Sequence, residues 1–421
     1  MKTFSELYTE ILTQSVGALQ QGKPLDVDAV FDYDPFHLEC LLHPHSAAPV
    51  IALGECACGE DQKTLCQSSC LFDALVRDPQ GNLIVDAQKC TGCAQCLQSC
   101  TMAHLVERKE VYPVLDMLTP PKVPVYALVA PAVVGQFGTD TTVGKLRSAC
   151  KRLGFAGLLE VSLFADILTL KEALEFDLHI QSDADFVLTS CCCPIWIAMI
   201  RRIYQNLVPH IPASVSPMVA AGRAVKLLYP GAKTVFIGPC LAKKAEAREA
   251  DVQDAIDFVL NFQELQDIFQ AAGLDLQAYE EDTREHSSTA GRIYARGGGV
   301  SEAVQRAVQR LKPNPTFPLT SYAVSGTAAC KALLERLKHG EVPANFLEGM
   351  GCVGGCVGGP RNLIPTEEGK MFVDQYGEAA ASATPIDNPS VLKLLDLLGF
   401  NSVEALLEKD AIFTRDFSQR S

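Results

Sequence analysis

The residues of this chain best suited to chemistry are its cysteines. The run Thr189-Ser190-Cys191-Cys192-Cys193-Pro194-Ile195-Trp196 sets three thiols side by side, which packing alone does not explain. Two further segments carry thiols among small residues: Gly238-Pro239-Cys240-Leu241-Ala242-Lys243-Lys244-Ala245-Glu246 and Glu348-Gly349-Met350-Gly351-Cys352-Val353-Gly354-Gly355-Cys356. Most of the 17 cysteines fall in short-spaced groups, at 56–70, 90–100, 191–193 and 352–356. Clustered cysteines without a secretory signal point to metal or redox chemistry rather than disulfides. Cys40, Cys150 and Cys330 sit in apolar or helical surroundings and read as buried thiols.

Cys90-x2-Cys93-x2-Cys96-x3-Cys100 has the spacing of a bacterial [4Fe–4S] run, with Thr101 where a proline usually follows. A cubane needs several thiolates from one tight loop, and Gly92 permits that turn. A structural zinc site is the alternative for four cysteines so close together. The earlier group, Cys56-x-Cys58-x7-Cys66-x3-Cys70, is less regular. In two-cluster ferredoxins the fourth cysteine of each run ligates the other cluster. Applied here, Cys56, Cys58, Cys66 and Cys100 hold one [4Fe–4S] cluster, and Cys90, Cys93, Cys96 and Cys70 hold the second. Asp78-Pro79-Gln80-Gly81-Asn82 reads as a hairpin turn between the two groups, with Leu83-Ile84-Val85 as a following strand. That is an α+β, ferredoxin-like arrangement, and its work would be single-electron transfer.

The elements that must position the remaining thiols follow from about Pro121. Val125–Val129, Phe186–Leu188, Val235–Ile237 and Tyr322–Val324 look like buried strands, with helical segments such as Lys171–Leu178 and Met218–Leu228 between them. This is α/β organisation. Three of these strands run into Ala130-Pro131-Ala132, Thr189–Trp196 and Gly238–Glu246, and ligand sites in such sheets gather beyond the carboxyl ends of strands. The boundaries read as an N-terminal helical segment at 1–45, a two-cluster domain at 46–118, a catalytic domain at 119–365 and a helical tail at 366–421. Within the first segment, Met1–Leu19 reads as an amphipathic helix, and Asn388-Pro389 starts a helix in the tail. With 421 residues and 48% hydrophobic content the chain can bury a sizeable core. The net charge of −14 argues against nucleic acid as a partner. No apolar run approaches the roughly 20 residues of a membrane span, and no signal-peptide core is present, so a cytoplasmic protein is expected. Gly297-Gly298-Gly299 lacks the lysine and serine of a phosphate-binding loop.

The three cysteine segments resemble, in order, the three signatures of [FeFe]-hydrogenases, and the TSCCCP run is similar to a variant subgroup of that family. The resemblance covers nearly the whole chain from Cys56 onward. It implies an H-cluster, a [4Fe–4S] cubane joined to a diiron subcluster with CO, cyanide and azadithiolate ligands, which interconverts H2 with protons and electrons. Its cubane ligands would be Cys193, Cys240, Cys352 and Cys356, with Cys356 bridging to the diiron unit. Soft thiolates suit such iron. Cys192 would carry protons and Lys243 would hydrogen-bond a cyanide. Met350 and Pro131 would line the diiron pocket. Gly238 stands where the family commonly has methionine. Partners implied are a ferredoxin or flavodoxin as electron carrier and the hydrogenase maturation proteins.

The resemblance also implies a proton route through Glu172 and Glu175, three residues apart on one helix face. By simple counting, the family's intervening serine falls near Pro212 and its outer arginine at His179. A proline cannot relay a proton, which leaves water or Ser214 as substitutes. Taken without the family, the glutamates are ordinary helix residues and Lys243 a solvated lysine. Two other functions stay open. One is a non-catalytic iron–sulfur assembly factor of the same fold, which in the family loses the proton-carrying cysteine and the lysine contact. The other is a slow H2 sensor.

Overall fold

The computed structural model describes residues 1–24, 30–54, 56, 58, 64–284, 286–408 and 410–418. Most of the spacer between Cys58 and Cys66 and the last three residues of the tail lie outside these. Helix α1 (Phe4–Gln21) starts at a capping box between Thr3 and Glu6 and stops at Gly22, which takes the left-handed conformation. It buries Phe4, Leu7, Ile11, Leu12 and Val16, the amphipathic face expected from the sequence. Helix α2 (Pro35–Leu42) is capped by Asp34.

The cysteine-rich segment is built from β1 (Val50–Ala52), α3 (Leu65–Ser68), β2 (Leu75–Arg77), β3 (Leu83–Val85), α4 (Gln95–Ser99) and β4 (Leu105–Glu107). β1 pairs antiparallel with β4, and β2 with β3. Asp78 makes the β2–β3 turn, its Oδ1 accepting from the amides of Gln80 (2.9 Å) and Asn82 (2.8 Å). The short helices α3 and α4, which carry Cys66 and Cys96, pack on each other. Helix α5 (Val111–Met117) leads out of this segment and receives α1.

The rest of the chain alternates strands and helices: β5 (Val125–Val129), α6 (Val143–Arg152), β6 (Gly157–Glu160), α7 (Ser162–His179), β7 (Val187–Leu188), α8 (Pro194–Arg202), α9 (Pro217–Leu228), β8 (Lys233–Ile237), α10 (Ala242–Glu246), β9 (Phe258–Leu260), α11 (Phe262–Ala271), α12 (Thr289–Arg292), α13 (Gly299–Leu311), β10 (Ser321–Ser325), α14 (Thr327–Lys338), β11 (Phe346–Met350), α15 (Thr366–Glu378) and α16 (Pro389–Leu397). They form two parallel sheets, of order β6-β5-β8-β9 and β10-β11-β7. Strands covered on both faces read as continuous apolar runs, as β5 and β8 do. Parallel pairing sets the carboxyl ends of β5, β8, β7 and β11 at the loops that begin at Ala130, Gly238, Thr189 and Gly351. Among the described residues no helix is long and apolar enough to cross a membrane.

One strand expectation changes, and one strand is added. Tyr322–Val324 lies in a strand, but β10 is an edge, and Tyr322 is 40% exposed rather than buried. The buried central strand of that sheet is β11, which the sequence reading passed over.

Helix α10, just after Cys240, is tied down by a fully buried charge. Lys244 Nζ donates to both carboxylate oxygens of Glu264 (2.9 and 2.8 Å) and to the Arg108 carbonyl (2.6 Å). Neither partner of the pair is exposed. Removing one side strands a buried charge, so Lys244→Met is expected to cost about 3–5 kcal/mol. Denaturant unfolding of the metal-free protein reads this directly. A loss below about 1 kcal/mol would instead be the size of an exposed pair.

Candidate active site

The first cysteine loop leaves β7 through Ser190, a non-glycine residue at φ +71°. This bend lets Pro194 open α8 at its first turn, where a missing amide costs nothing. Trp196 locks the loop: its indole donates to the Thr189 carbonyl at 2.9 Å, and the side chain is fully buried. Gly349 of β11 passes so close that a Cβ would lie 2.3 Å from the Trp196 ring. The third cysteine loop is therefore seated on the first, and the Gly351 amide donates to Cys193 Sγ at 3.2 Å. Glycines 354 and 355 both have positive φ, and a Cβ on Gly355 would meet the Gly297 amide nitrogen at 2.6 Å and Met350 Sδ at 2.9 Å. The Gly297–Gly299 turn is thus a packing surface for the cysteine loop. Its amides are committed too, since Gly298 and Ser301 each donate at 2.8 Å to the Glu348 carboxylate.

The electrostatic neighbours of the thiols describe the centre. Burial raises the Cys352 thiol well above its ordinary range, and the thiols of Cys240, Cys193, Cys356 and finally Cys93 add to the effect. Burial brings Cys356 to about 12, with Cys240, Cys193, Lys243 and Glu348 as further neighbours. Cys240, at about 11, is raised by burial and then by Cys193. Cys193, Cys240, Cys352 and Cys356 are therefore electrostatic neighbours of one another, each half-buried. Thiolates are unfavourable there unless a positive centre compensates them, which cluster iron supplies. Among the described residues no three His, Cys, Asp or Glu side chains close to the dimensions of a single-ion site. The donor set fits a cubane, in which each thiolate holds a different iron.

Cys192 is a neighbour of the same thiols. Burial keeps its thiol well above the usual range, and its next neighbours are Cys356, Cys193, Lys243 and Glu348. Cys191 points elsewhere: its thiol donates to the Pro212 carbonyl at 3.6 Å, and after burial its neighbours are Glu172, Glu175 and Arg415. Lys243 is buried, not solvated, and donates to Glu246 Oε2 at 2.6 Å. Burial pushes its ammonium down, but Glu246, Cys192 and Cys240 outweigh that, and the group stands above an ordinary lysine. Glu246, unassigned from the sequence, is what holds this cation. Its signal was the i,i+3 spacing on a helix.

Glu172 and Glu175 are both buried on α7. Burial raises Glu172 to about 8, against the hydrogen bond it accepts from the Thr189 hydroxyl. It therefore holds its proton at neutral pH. Glu175 is paired with Lys171, not with His179, which is exposed in the last turn of α7. Ser214 is fully buried, and among the described residues its hydroxyl has no partner. Pro131 opens a 3-10 turn at the end of β5. At Gly238 a Cβ would lie 2.8 Å from the Phe236 ring, so that ring fills the room a methionine would need.

In the N-terminal segment, Cys58 is raised by its hydrogen bond to Cys56, then by burial, then by Cys66 and Cys100. Cys90, at about 11, is raised by burial and then by Cys93 and Cys70. Cys96, at about 12, is raised by burial, Cys93, Cys90 and Cys70. A Cβ on Gly92 would lie 2.9 Å from the Leu241 carbonyl, so this loop abuts the Cys240 loop.

Residues 123–360 match the model of the family described as iron only hydrogenase large subunit, C-terminal domain. The chain belongs to this family. Among curated relatives, Iron hydrogenase 1 of Clostridium pasteurianum is 28% identical over 65% of this chain and 56% of its own length. The periplasmic [Fe] hydrogenase large subunit of Nitratidesulfovibrio vulgaris is 28% identical, over 67% of this chain and 86% of that one. Cytosolic iron-sulfur assembly component 3 of Rattus norvegicus is 26% identical, over 62% and 66%. The chain thus spans little more than half the length of the Clostridium relative. A solved variant of the [FeFe]-hydrogenase HydA1 from Chlamydomonas reinhardtii is similar with a TM-score of 0.56 at 23% identity, covering 70% of this chain and 94% of that one. At that identity the likeness establishes the fold. The α/β architecture expected from the alternating apolar runs is therefore the one found, and the family is one of iron–sulfur proteins.

Proposed function

We propose that this chain is a hydrogenase that interconverts H2 with protons and electrons. The observation that carries the reading is that Cys193, Cys240, Cys352 and Cys356 lie within one another's electrostatic reach, with Cys192 and Lys243 among their neighbours. The four thiolates would hold the cubane of an H-cluster, with Cys356 bridging to its diiron unit. When bound, that cluster supplies the chemistry of H2 splitting and formation. Lys243, held by Glu246, would offer its ammonium to a cyanide ligand. Met350 and Pro131 close the pocket. Cys192 moves protons between the centre and the carboxylates Glu172 and Glu175.

Electrons would enter and leave through two [4Fe–4S] clusters in a ferredoxin-like domain at 46–118. Cys56, Cys58, Cys66 and Cys100 hold the outer cluster, and Cys90, Cys93, Cys96 and Cys70 the inner one. The contact of Gly92 with Leu241, and of Cys93 with Cys352 electrostatically, supports an inner cluster beside the active centre. A ferredoxin or flavodoxin is the proposed carrier, maturation proteins would install the diiron unit, and the cytoplasm is the proposed compartment. Cys70→Ser and Cys100→Ser should each disturb the cluster of the opposite run. Iron analysis and EPR of reconstituted protein test this: three cubanes in the native protein, with crossed losses in the two variants. Damage confined to each variant's own run would contradict the crossed assignment.

The relatives named as iron-sulfur assembly components give a second reading, a non-catalytic cluster protein. The half-buried Cys192 and the buried Lys243–Glu246 pair favour catalysis, since a protein that only holds clusters needs neither.

A further inference from the structure

Lys171 is a buried cation that the route described so far does not use. Its Nζ donates to Glu175 Oε1 at 2.6 Å and to the Leu406 carbonyl at 3.1 Å. The residue is 2% exposed. Leu406 belongs to the C-terminal tail, in a short 3-10 turn that packs on α7. The same tail touches the far side of the site: the Arg415 amide donates to the Ala213 carbonyl at 3.2 Å, and Val215 donates to Phe413 at 3.0 Å. The Lys171 ammonium is thus shared between one carboxylate oxygen and one carbonyl. The other oxygen, Glu175 Oε2, is buried and has no hydrogen-bond partner among the described residues. The hydroxyls of Ser190 and Ser214 share that condition; Ser190 precedes Cys191 in the chain, the Ser214 amide and the Cys191 thiol both donate to the Pro212 carbonyl, and Glu172 and Glu175 act on that thiol electrostatically.

We propose that Lys171 is the positioning residue of the outer carboxylate. It commits Oε1 of Glu175 to an ion pair seated on the tail, and it leaves Oε2 as the oxygen that takes up and releases protons. The inference rests on the hydrogenase reading of Glu172 and Glu175 as proton carriers. A proton leaving the centre passes from the Glu172 side to Glu175 Oε2 and onward toward the surface, while Lys171 keeps its own protons. Without the cation, a carboxylate this buried has no compensating charge and retains a proton. The route then lacks its outer acceptor.

The test compares Lys171→Met and Lys171→Arg. In the metal-free protein, infrared difference spectra count protonated carboxyl groups, and Glu175→Gln assigns the band. Lys171→Met is expected to gain a protonated carboxyl band that the double variant with Glu175→Gln lacks. After maturation its turnover should fall about 10²-fold, within the range of lost proton relays, with CO and cyanide bands unchanged. Lys171→Arg should restore both properties. A Lys171→Met protein with a native carboxyl spectrum and native turnover overturns the proposal. So does a folded Lys171→Arg protein as impaired as Lys171→Met, because packing alone would then explain the site. Lys171→Gln keeps a donor for the Leu406 carbonyl and carries the same expectation should Lys171→Met fail to fold. If the native protein has no H2 turnover, the hydrogenase reading fails, while the metal-free spectra still decide the role of Lys171.

Discussion

Cys192→Ala is expected to assemble its metal centre, show CO and cyanide bands, and lose turnover by about 10²–10⁴-fold, the span of a lost proton relay. The thiol faces Cys356, Cys193, Lys243 and Glu348, so it borders the centre without belonging to the four-ligand set. Burial keeps it protonated, which makes it a donor at neutral pH. Cys193→Ala should lose the cluster itself. Cys191→Ala should retain most turnover, since that thiol spends its proton on the Pro212 carbonyl. The three variants must be compared together, because three adjacent cysteines allow a shifted register. Loss of turnover in Cys191→Ala with clusters intact, beside an active Cys192→Ala, would move the relay one residue earlier. That outcome has a structural route ready, because Cys191 is the thiol nearer Glu172 and Glu175.

Cys240→Ala should abolish the active centre while leaving the two N-terminal clusters in place. It removes one of four thiolates from a cubane that takes one per iron. The Cys240 loop is pinned on both sides, by Lys244 to Glu264 and by the Arg361 amide to the Pro239 carbonyl at 3.1 Å. The loop therefore cannot swing in a substitute ligand, and the nearest other side chain of the motif, Lys243, is committed to Glu246. EPR should show the active-site cubane signal gone and the others retained. Full activity in this variant would remove the proposed centre altogether.

The cysteine loops and two of the strands that lead toward them, β5 and β8, were legible because both signals are local. β5 and β8 are short apolar runs covered on both faces, and each ends on a glycine or proline turn. β11 was not legible, because Glu348 and Gly349 interrupt its apolar pattern. The structure explains both: Glu348 is satisfied by the amides of Gly298 and Ser301, and Gly349 makes room for Trp196. β10 misled for the opposite reason, since an apolar run on an edge strand looks the same as one in the centre. The partner at the outer end of the proposed proton route was illegible by counting along the chain. The cation on Glu175 is Lys171, one turn earlier, and its second partner lies in the tail, 235 residues away. Likewise no pattern in the N-terminal helix indicates its place, yet Tyr8 donates to Asp267 at 2.8 Å and α1 joins the core beside α5 and α11.

The most direct test of the hydrogenase reading is the infrared spectrum of the matured protein, recorded with and without H2. CO and cyanide stretching bands that shift on exposure to H2 are the expected result. A spectrum without those bands, from protein whose cubanes are intact by EPR, would contradict it and leave a cluster-binding protein of the same fold.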